Sequence, residues 1–398
     1  MAEKKKKKTS ATSSSTPTPE STPEPLATEE KPVAAPTPKV VTATPPVKKK
    51  AGKMWIVWVV VGVIVLAGAG AVGWVMYGTP KTTNTHPTTN TVANENVPVL
   101  VERPLDGTMV AEAQAKPNIT AVMIENSTDS RPPSGLDKAP VVYEALAEGG
   151  ITRFMALFPV GLQIPEIGPV RSARPYYISW AQAYYPMYVH AGGSPQALGL
   201  LGAKSTTVAD FNQFTHGASF WRDTKRVAPH NLYTSSEKLQ SALTQKFSKL
   251  QTSVQPWTFK DDAGLDTLPE ITKDIVIKYS SLNYQVTYKY DRGLNQYNRY
   301  LGTKAHVTKD GTQITAKNVV VMFMPTGLIP GDTKRLQMTT VGSGKALVFR
   351  DGVAMVGTWK KTSAQSREQF YDANGQVIAL NRGVTWVSAV PTNLSVTY

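Results

Sequence analysis

The feature that most constrains this chain is an uncharged apolar segment at residues 54–77, with the sequence MWIVWVVVGVIVLAGAGAVGWVMY. A helix of about 20 apolar residues spans the hydrocarbon core of a bilayer. Tryptophan and tyrosine lie near both ends of the segment, where amphipathic rings favour the membrane interface. The segment is also too long for the apolar core of a signal peptide. The sequence therefore predicts one transmembrane helix at residues 54–77.

The charges on the two flanks predict the orientation of this helix. Four lysines closely precede it, at positions 48, 49, 50 and 53, whereas Lys81 is the one nearby cation after it. Because cytoplasmic flanks carry the excess of Lys and Arg, the N-terminus is predicted to be cytoplasmic. The predicted localisation is the cell membrane, single-pass, with the C-terminal domains extracytoplasmic. The lipid bilayer is the first predicted partner.

Two polar, low-complexity segments flank the predicted helix. Residues 1–53 contain eleven Lys and five Glu among Thr, Ser, Pro and Ala, which predicts a disordered cytoplasmic tail. Residues 78–97 are predicted to be a polar linker. The tail carries +6 of the formal net charge of +14. Because the basic excess is concentrated there, and no basic helix is interleaved with aromatic residues, nucleic acid is not a predicted partner.

The residue types in the chain exclude several kinds of chemistry. Cysteine is absent, which excludes disulfides, thiolate metal sites, cysteine nucleophiles and lipid attachment to an N-terminal cysteine. The histidines lack the HxxxH and HxH spacings of common metal sites. The sequence therefore predicts no metal site and no cofactor.

The first folded region, residues 98–260, is predicted to be an α/β domain. Apolar runs at residues 141–147 and 151–158 flank Gly149-Gly150, which predicts two paired strands. A helix is predicted at residues 172–185 and a short buried strand at 187–190. Since strands alternate with helical segments, the region belongs to the α/β class.

The second region, residues 261–398, is predicted to be a mainly antiparallel β domain. Short apolar runs recur, and Asp-Gly or Asn-Gly pairs at positions 310, 351 and 374 separate strand-like segments, as hairpin turns do. The run Gly342-Ser-Gly-Lys345 resembles part of a phosphate loop. A strand-like sequence follows it where a phosphate loop requires a helix, so we interpret it as a hairpin turn.

Arginines are the first candidates for a binding site. Arg153 lies within the apolar run ITRFMALF, where burial is costly unless an anion accompanies it. Arg171 and Arg174 are three residues apart at a predicted helix start and could share one face. Together the three could bind phosphate or carboxylate. The alternative is internal pairing with three acids: Glu125, Glu144 and Glu148.

Other polar residues extend the predicted ligand-binding set. The full set is Glu125, Arg131, Arg153, Arg171, Arg174, Ser194, Arg222 and His230. Ser194 has two interpretations, because it follows His190-Ala-Gly-Gly and precedes Pro195. It could act as a nucleophile with His190 as base, although a helix cap fits the Ser-Pro sequence better.

Glu144 and Glu148 are weak catalytic candidates. They lie four residues apart on a predicted strand and turn, and could face the same side. Paired carboxylates can carry out acid–base chemistry, as in glycoside hydrolysis. Such pairs also occur by chance, so the sequence leaves open whether the protein is an enzyme.

Several stretches resemble a known family. They are IENSTDSRPPSGLDKAPVVYEALAEGGITRFMALF, IGPVRSARPYYISWAQAY, VHAGGSPQAL, FWRDTKRVAPHNLYTS, GSGKALVFRDGVAMVGTWKK and GVTWVSAVP. In these stretches, which span about residues 98–398, the chain resembles the YerB-like family of bacterial lipoproteins. That resemblance implies a domain of unknown function, a β-rich C-terminal domain and a location in the cell envelope. The chain departs from the family in lacking the lipobox cysteine, and the predicted transmembrane helix takes its place.

A looser similarity concerns the order of GITRF, PVRSAR and HAGGS. This order is similar to that of the LytR–CpsA–Psr ligases, which have a short cytoplasmic tail, one span and an outer α/β domain. The similarity implies that Arg153, Arg171 and Arg174 hold phosphate. The acidic metal-binding pattern of those enzymes is not matched here.

The sequence thus favours a membrane-anchored extracytoplasmic envelope protein. Its expected partner is an anionic cell-wall polymer or a lipid-linked precursor, bound in an Arg/Glu-lined cleft. One alternative is an envelope-polymer transferase or hydrolase that uses phosphotransfer or glycosidase-type chemistry. Another is a scaffold that binds a protein partner through its β domain.

Overall fold

The computed structural model describes residues 99–398. The predicted tail, the predicted transmembrane helix and nearly all of the predicted linker lie outside these described residues. Within residues 99–398, no helix is long and apolar enough to cross a membrane.

Strands dominate the described residues. The helices are α1 (Pro175–Ala181), α2 (Pro195–Leu201) and α3 (Ser236–Lys246). The strands up to residue 260 are β1 (Leu100–Glu102), β2 (Met109–Ala111), β3 (Ile119–Glu125), β4 (Val141–Leu146), β5 (Thr152–Pro159), β6 (Met187–His190), β7 (Ala209–Asn212), β8 (Trp221–Arg222), β9 (Leu232–Tyr233) and β10 (Phe259–Lys260). The later strands are β11 (Ile275–Lys278), β12 (Gln285–Asp291), β13 (Gln296–Leu301), β14 (Lys304–Ala305), β15 (Thr315–Ala316), β16 (Asn318–Met324), β17 (Thr326–Leu328), β18 (Leu336–Met338), β19 (Gly342–Arg350), β20 (Val353–Lys361), β21 (Gln369–Tyr371), β22 (Leu380–Asn381), β23 (Thr385–Pro391) and β24 (Val396–Thr397).

The largest sheet has ten strands in the order β21-β20-β19-β16-β23-β4-β5-β3-β6-β7. It is mixed: β16–β23, β23–β4, β3–β6 and β6–β7 are parallel pairs, and the remaining pairs are antiparallel. Val142 of β4 lies opposite Trp386 of β23. The boundary predicted at residue 260 therefore divides a single sheet, to which both halves of the chain contribute strands.

The large sheet buries both of its faces, because successive side chains of a strand point to opposite sides. On one face, Phe154 and Trp386 pack in a core with a six-stranded antiparallel sheet (β14-β13-β12-β11-β24, with β15 paired to β13) and with α3. On the other face, Tyr143 packs in a core with Tyr177 and Trp180 of α1. The site described below lies at the β6–β7 end of this sheet.

The local predictions met different outcomes. The strands predicted at residues 141–147 and 151–158 pair as expected, as β4 and β5. The hairpin at Asp351-Gly352 joins β19 and β20, with both residues at positive φ. The helix predicted over residues 172–185 is shorter, because α1 ends at Ala181 and a 3₁₀ turn follows it. Gly342–Lys345 opens β19, so it is neither a phosphate loop nor the predicted hairpin turn.

Candidate functional site

A cleft of about 430 Å³ lies beside the turn that follows β6. Its lining includes Arg171, Gly192, Gly193, Leu198, Phe214 and Arg222. These residues come from three places in the sequence: the segment before α1, the turn leading into α2 together with α2 itself, and the segment that follows β7. The parallel pairing of β6 with β7 brings the last two together.

The turn at Gly192 is held by hydrogen bonds on both sides. Gly192 has φ +64°, a conformation that favours glycine. Its carbonyl accepts from the Ala173 N–H at 2.9 Å and lies 2.7 Å from His190 Nδ1. Its N–H donates to Asn212 Oδ1 at 3.0 Å. The floor of the cleft is therefore fixed by contacts from β6, from β7 and from the segment before α1.

His190 supports this turn from below and is fully buried. Its second ring nitrogen, Nε2, lies 2.6 Å from Asp210 Oδ1. Both ring nitrogens of His190 are therefore engaged, one with a carbonyl oxygen and one with a carboxylate oxygen. His190 thus holds the turn in place, and Ser194 does not use it as a base. The Ser194 hydroxyl accepts from the Ala197 N–H at 3.3 Å, which confirms the helix-cap interpretation.

Arg171 lines the cleft and rests on Glu125 at the end of β3. The backbone N–H of Arg171 donates to the Met123 carbonyl at 2.8 Å, which places the Arg171 side chain beside Glu125. Arg171 Nε lies 3.1 Å from Glu125 Oε1, but the N–H is not aligned as a hydrogen bond. His230 Nδ1 lies 3.0 Å from the other oxygen, Oε2. One buried carboxylate therefore faces both a guanidinium and an imidazole.

Arg222 is an exposed arginine on the same cleft. Its guanidinium donates to Asn231 Oδ1 at 2.8 Å. Asn231 is held in turn by the carbonyls of Asp223 and Arg226, each at 3.0 Å. No carboxylate of residues 99–398 forms an ion pair with Arg222, so its charge is available to a ligand.

Arg153 and Arg174 do not line this cleft, which corrects the predicted convergence of three arginines. Arg174 makes two hydrogen bonds to Glu148, one of them from Nη2 to Oε2 at 2.7 Å. Arg153 is buried, with its Nη2 3.8 Å from the same carboxylate and its Nη1 donating to the Ser172 carbonyl. The alternative of internal pairing therefore describes both residues.

Glu144 and Glu148 occupy separate environments, which does not fit a catalytic pair. Glu144 is fully buried and accepts hydrogen bonds from Arg299, Thr152 and Trp386. Burial alone would raise the pKa of Glu148, but the hydrogen bond and charge of Arg174 lower it below its ordinary value. Glu148 is therefore ionised at neutral pH and unsuited to donate a proton.

Arg131 also belongs to the protein interior. Its Nε donates to Asn126 Oδ1 at 2.9 Å, and its guanidinium lies over the Tyr284 ring at 4.9 Å. Asn126 continues through Thr152 to Glu144. The chain of contacts joins Arg131 to the buried Glu144 network and not to the cleft.

Sequence reasoning missed several residues of the cleft. Leu198, Phe214 and Asn212 were not among the predicted site residues. The available signal was the exposure of apolar residues beside a Gly-Gly turn, which requires the fold to be known. Among residues 99–398, no cluster of three or more His, Asp or Glu is arranged to hold a metal ion.

Comparisons with known proteins place this architecture in a family. A family model described as "Protein of unknown function (DUF3048) N-terminal domain" matches residues 105–251, and its C-terminal counterpart matches residues 275–387. The chain belongs to the DUF3048 family. The cleft, from Arg171 to Arg222, lies within the matched N-terminal domain of DUF3048.

The sequence and the crystal structure of one relative confirm the predicted resemblance to YerB-like proteins. "Putative lipoprotein YerB" of Bacillus subtilis (strain 168) is 31% identical over 295 residues, covering 73% of this chain and 86% of that protein. The crystal structure of B. subtilis YerB matches with a TM-score of 0.66 at 28% identity, covering 75% of this chain and all of that one. The DUF3048 fold is therefore shared over most of both proteins.

Proposed function

We propose that this DUF3048 protein is a membrane-anchored, extracytoplasmic protein of the bacterial cell envelope that binds an anionic envelope component in the Arg171–Arg222 cleft. The observation that carries the proposal is Arg222, whose exposed guanidinium lines the cleft without an ion-pair partner in residues 99–398. Arg171 adds a second guanidinium on the same lining. Arginine forks match the oxygens of phosphate and carboxylate groups, so a phosphate-bearing or carboxylate-bearing polymer fits this pair.

The proposed location rests on the sequence before the described residues. The apolar segment at residues 54–77, with its lysines on the N-terminal side, supports a single span with the cleft outside the cell. The relative in B. subtilis is described as a lipoprotein. In this proposal a transmembrane helix anchors the present chain where a lipid would anchor that relative.

The test measures binding to poly(glycerol phosphate) by the full-length chain reconstituted in nanodiscs of zwitterionic lipid. We expect Arg171→Ala and Arg222→Ala each to weaken binding at least about tenfold, since a hydrogen bond to a charged group contributes about 1.5–3 kcal/mol. The matched control is Arg335→Ala, which removes a half-exposed arginine paired with Asp332 outside the cleft. If both cleft variants bind as tightly as the control, the proposal is wrong.

A second candidate function is hydrolysis or transfer on the same component. It is favoured by the Glu125–His230 contact, because a carboxylate that accepts from Nδ1 leaves Nε2 as a proton acceptor. His230 would then take the role that the sequence assigned to Glu144 or Glu148. This candidate would be supported if the unsubstituted chain releases glycerol phosphate from the polymer, and if His230→Gln still binds the polymer but no longer releases glycerol phosphate. If the unsubstituted chain binds the polymer but releases no glycerol phosphate, only the binding function is supported.

A further inference from the structure

We propose that the ligand of this cleft is an amphiphilic phosphate, with its headgroup against Arg171 and Arg222 and its hydrocarbon chain against Phe214 and Leu198. The inference rests on the proposed function and deepens it by assigning a chemical class to the anion. It follows from the combination of charged and apolar groups on the lining of one cleft.

The apolar part of the lining is exposed to solvent. Phe214 is 74% exposed and Leu198 is 41% exposed, and both line the cleft. Single exposed apolar residues are common and need no explanation. Two that share a cleft with two arginines form a mixed surface, which neither a free phosphate nor an uncharged lipid would cover completely.

Both side chains lie directly against the glycine turn. A Cβ atom placed on Gly192 would lie 3.0 Å from Cε2 of Phe214. A Cβ atom placed on Gly193 would lie 3.2 Å from Cδ2 of Leu198. The absence of side chains at these two positions therefore lets the apolar groups approach the backbone floor of the cleft.

Hydrogen bonds also fix the backbone segments that carry these apolar side chains. Asn212 Oδ1 accepts from the N–H groups of both Gly192 and Phe214, at 3.0 and 3.2 Å. Ser194 caps α2, on which Leu198 lies. Binding therefore does not have to order these segments first, which favours affinity for a chain that contacts them.

The size and place of the cleft fit such a ligand. Its volume of about 430 Å³ lies within the range of small-molecule sites, roughly 300–1,000 Å³. The predicted linker of 20 residues, at most about 70 Å when extended, would keep the cleft within reach of lipids of the membrane that anchors it. A soluble alkyl phosphate shares the same chemistry, and the experiment below separates the contribution of the chain from that of the phosphate.

The experiment measures the affinities of inorganic phosphate and of ethyl, butyl and hexyl phosphate for the full-length chain in zwitterionic nanodiscs, with empty nanodiscs as the baseline. We expect affinity to rise about twofold per methylene from ethyl to hexyl, the value for half-burial of each methylene. Phe214→Ser and Leu198→Ser should each flatten this rise. Val356→Ser is the matched control, because Val356 is similarly exposed but lies on β20.

The outcomes separate this inference from the function on which it rests. If all four phosphates bind with equal affinity and Arg222→Ala abolishes this binding, the proposal of an amphiphilic ligand is wrong, whereas the proposed anion binding is supported. A chain-length dependence that persists in both Phe214→Ser and Leu198→Ser would also overturn it, because the chain would then lie elsewhere. If neither these phosphates nor the polymer bind, the proposed function fails and the inference fails with it.

Discussion

The buried pair of Glu144 and Arg299 should behave as a coupled unit that joins the two halves of the sequence. Both side chains have no solvent exposure, and Arg299 Nη2 donates to Glu144 Oε2 at 2.6 Å. The Trp386 ring lies under the guanidinium at 4.4 Å. Glu144 comes from β4 and Arg299 from β13, so the pair connects the large sheet to the six-stranded sheet.

Removing one partner leaves the other as a buried charge without its counter-ion. We expect Arg299→Met to lower the free energy of unfolding by about 3–5 kcal/mol, and Glu144→Gln to have a similar effect. The double variant should lose only about 1–3 kcal/mol, because neither charge of the pair remains buried and the glutamine oxygen still accepts from one of the two remaining donors, Thr152 on Oε1 or Trp386 on Oε2. The double variant is therefore expected to be more stable than either single variant.

The assay is urea unfolding of the full-length chain in detergent micelles, followed by tryptophan fluorescence. The control is Lys289→Met, which breaks an exposed pair with Asp274 and should cost less than about 1 kcal/mol. Losses in the double variant that equal the sum of the two single losses would mean that the residues do not interact. That result would refute the pairing and the link between the sheets.

Three further outcomes are expected. Burial lowers the pKa of Lys361 to about 8, so above that pH the unfolded chain binds more protons than the folded chain. The free energy of unfolding should therefore rise by about 2 kcal/mol between pH 7.5 and 9.5, as measured by thermal unfolding. The Lys361→Met variant should not show this rise. Burial alone would raise the pKa of Asp351, but hydrogen bonds from Lys260 and other neighbouring groups lower it overall. The contribution of Asp351 to the free energy of unfolding is therefore present above pH 4 and is lost on acidification. In Asp351→Asn, the free energy of unfolding should fall less steeply below pH 4. Gly192→Ala should destabilise the chain by about 1 kcal/mol, since φ is +64° and the new methyl meets Phe214, with phosphate affinity measured alongside unfolding.

Short-range features of the fold were accessible from the sequence. The β4–β5 pairing and the β19–β20 hairpin each depend on a short turn between neighbouring strands, and the cap at Ser194 depends on residues three positions apart. The helix over 172–185 was overestimated because its apolar pattern continues past Ala181 into a 3₁₀ turn. Patterns of this kind record which faces are buried but not how far a helix continues.

The candidate site could be predicted only in part. Of the arginines predicted to bind a ligand, Arg171 and Arg222 line the cleft, whereas Arg153 and Arg174 do not. The reason is that the charge pairs form between positions separated in the chain: Arg174 meets Glu148 across 26 residues, and Arg299 meets Glu144 across 155. No local spacing encodes such contacts.

By itself the sequence determined the alternation of strands, the tight turns that need glycine, the cap of α2 and the prediction of a single membrane span, because each depends on neighbouring residues or on composition. The tertiary structure alone decided which acid each of Arg171, Arg174 and Arg299 meets, and that Arg222 lines the cleft without an ion pair in residues 99–398. Strand order and register bring those groups together, and they are set by the burial of two whole sheet faces and not by any segment of the chain.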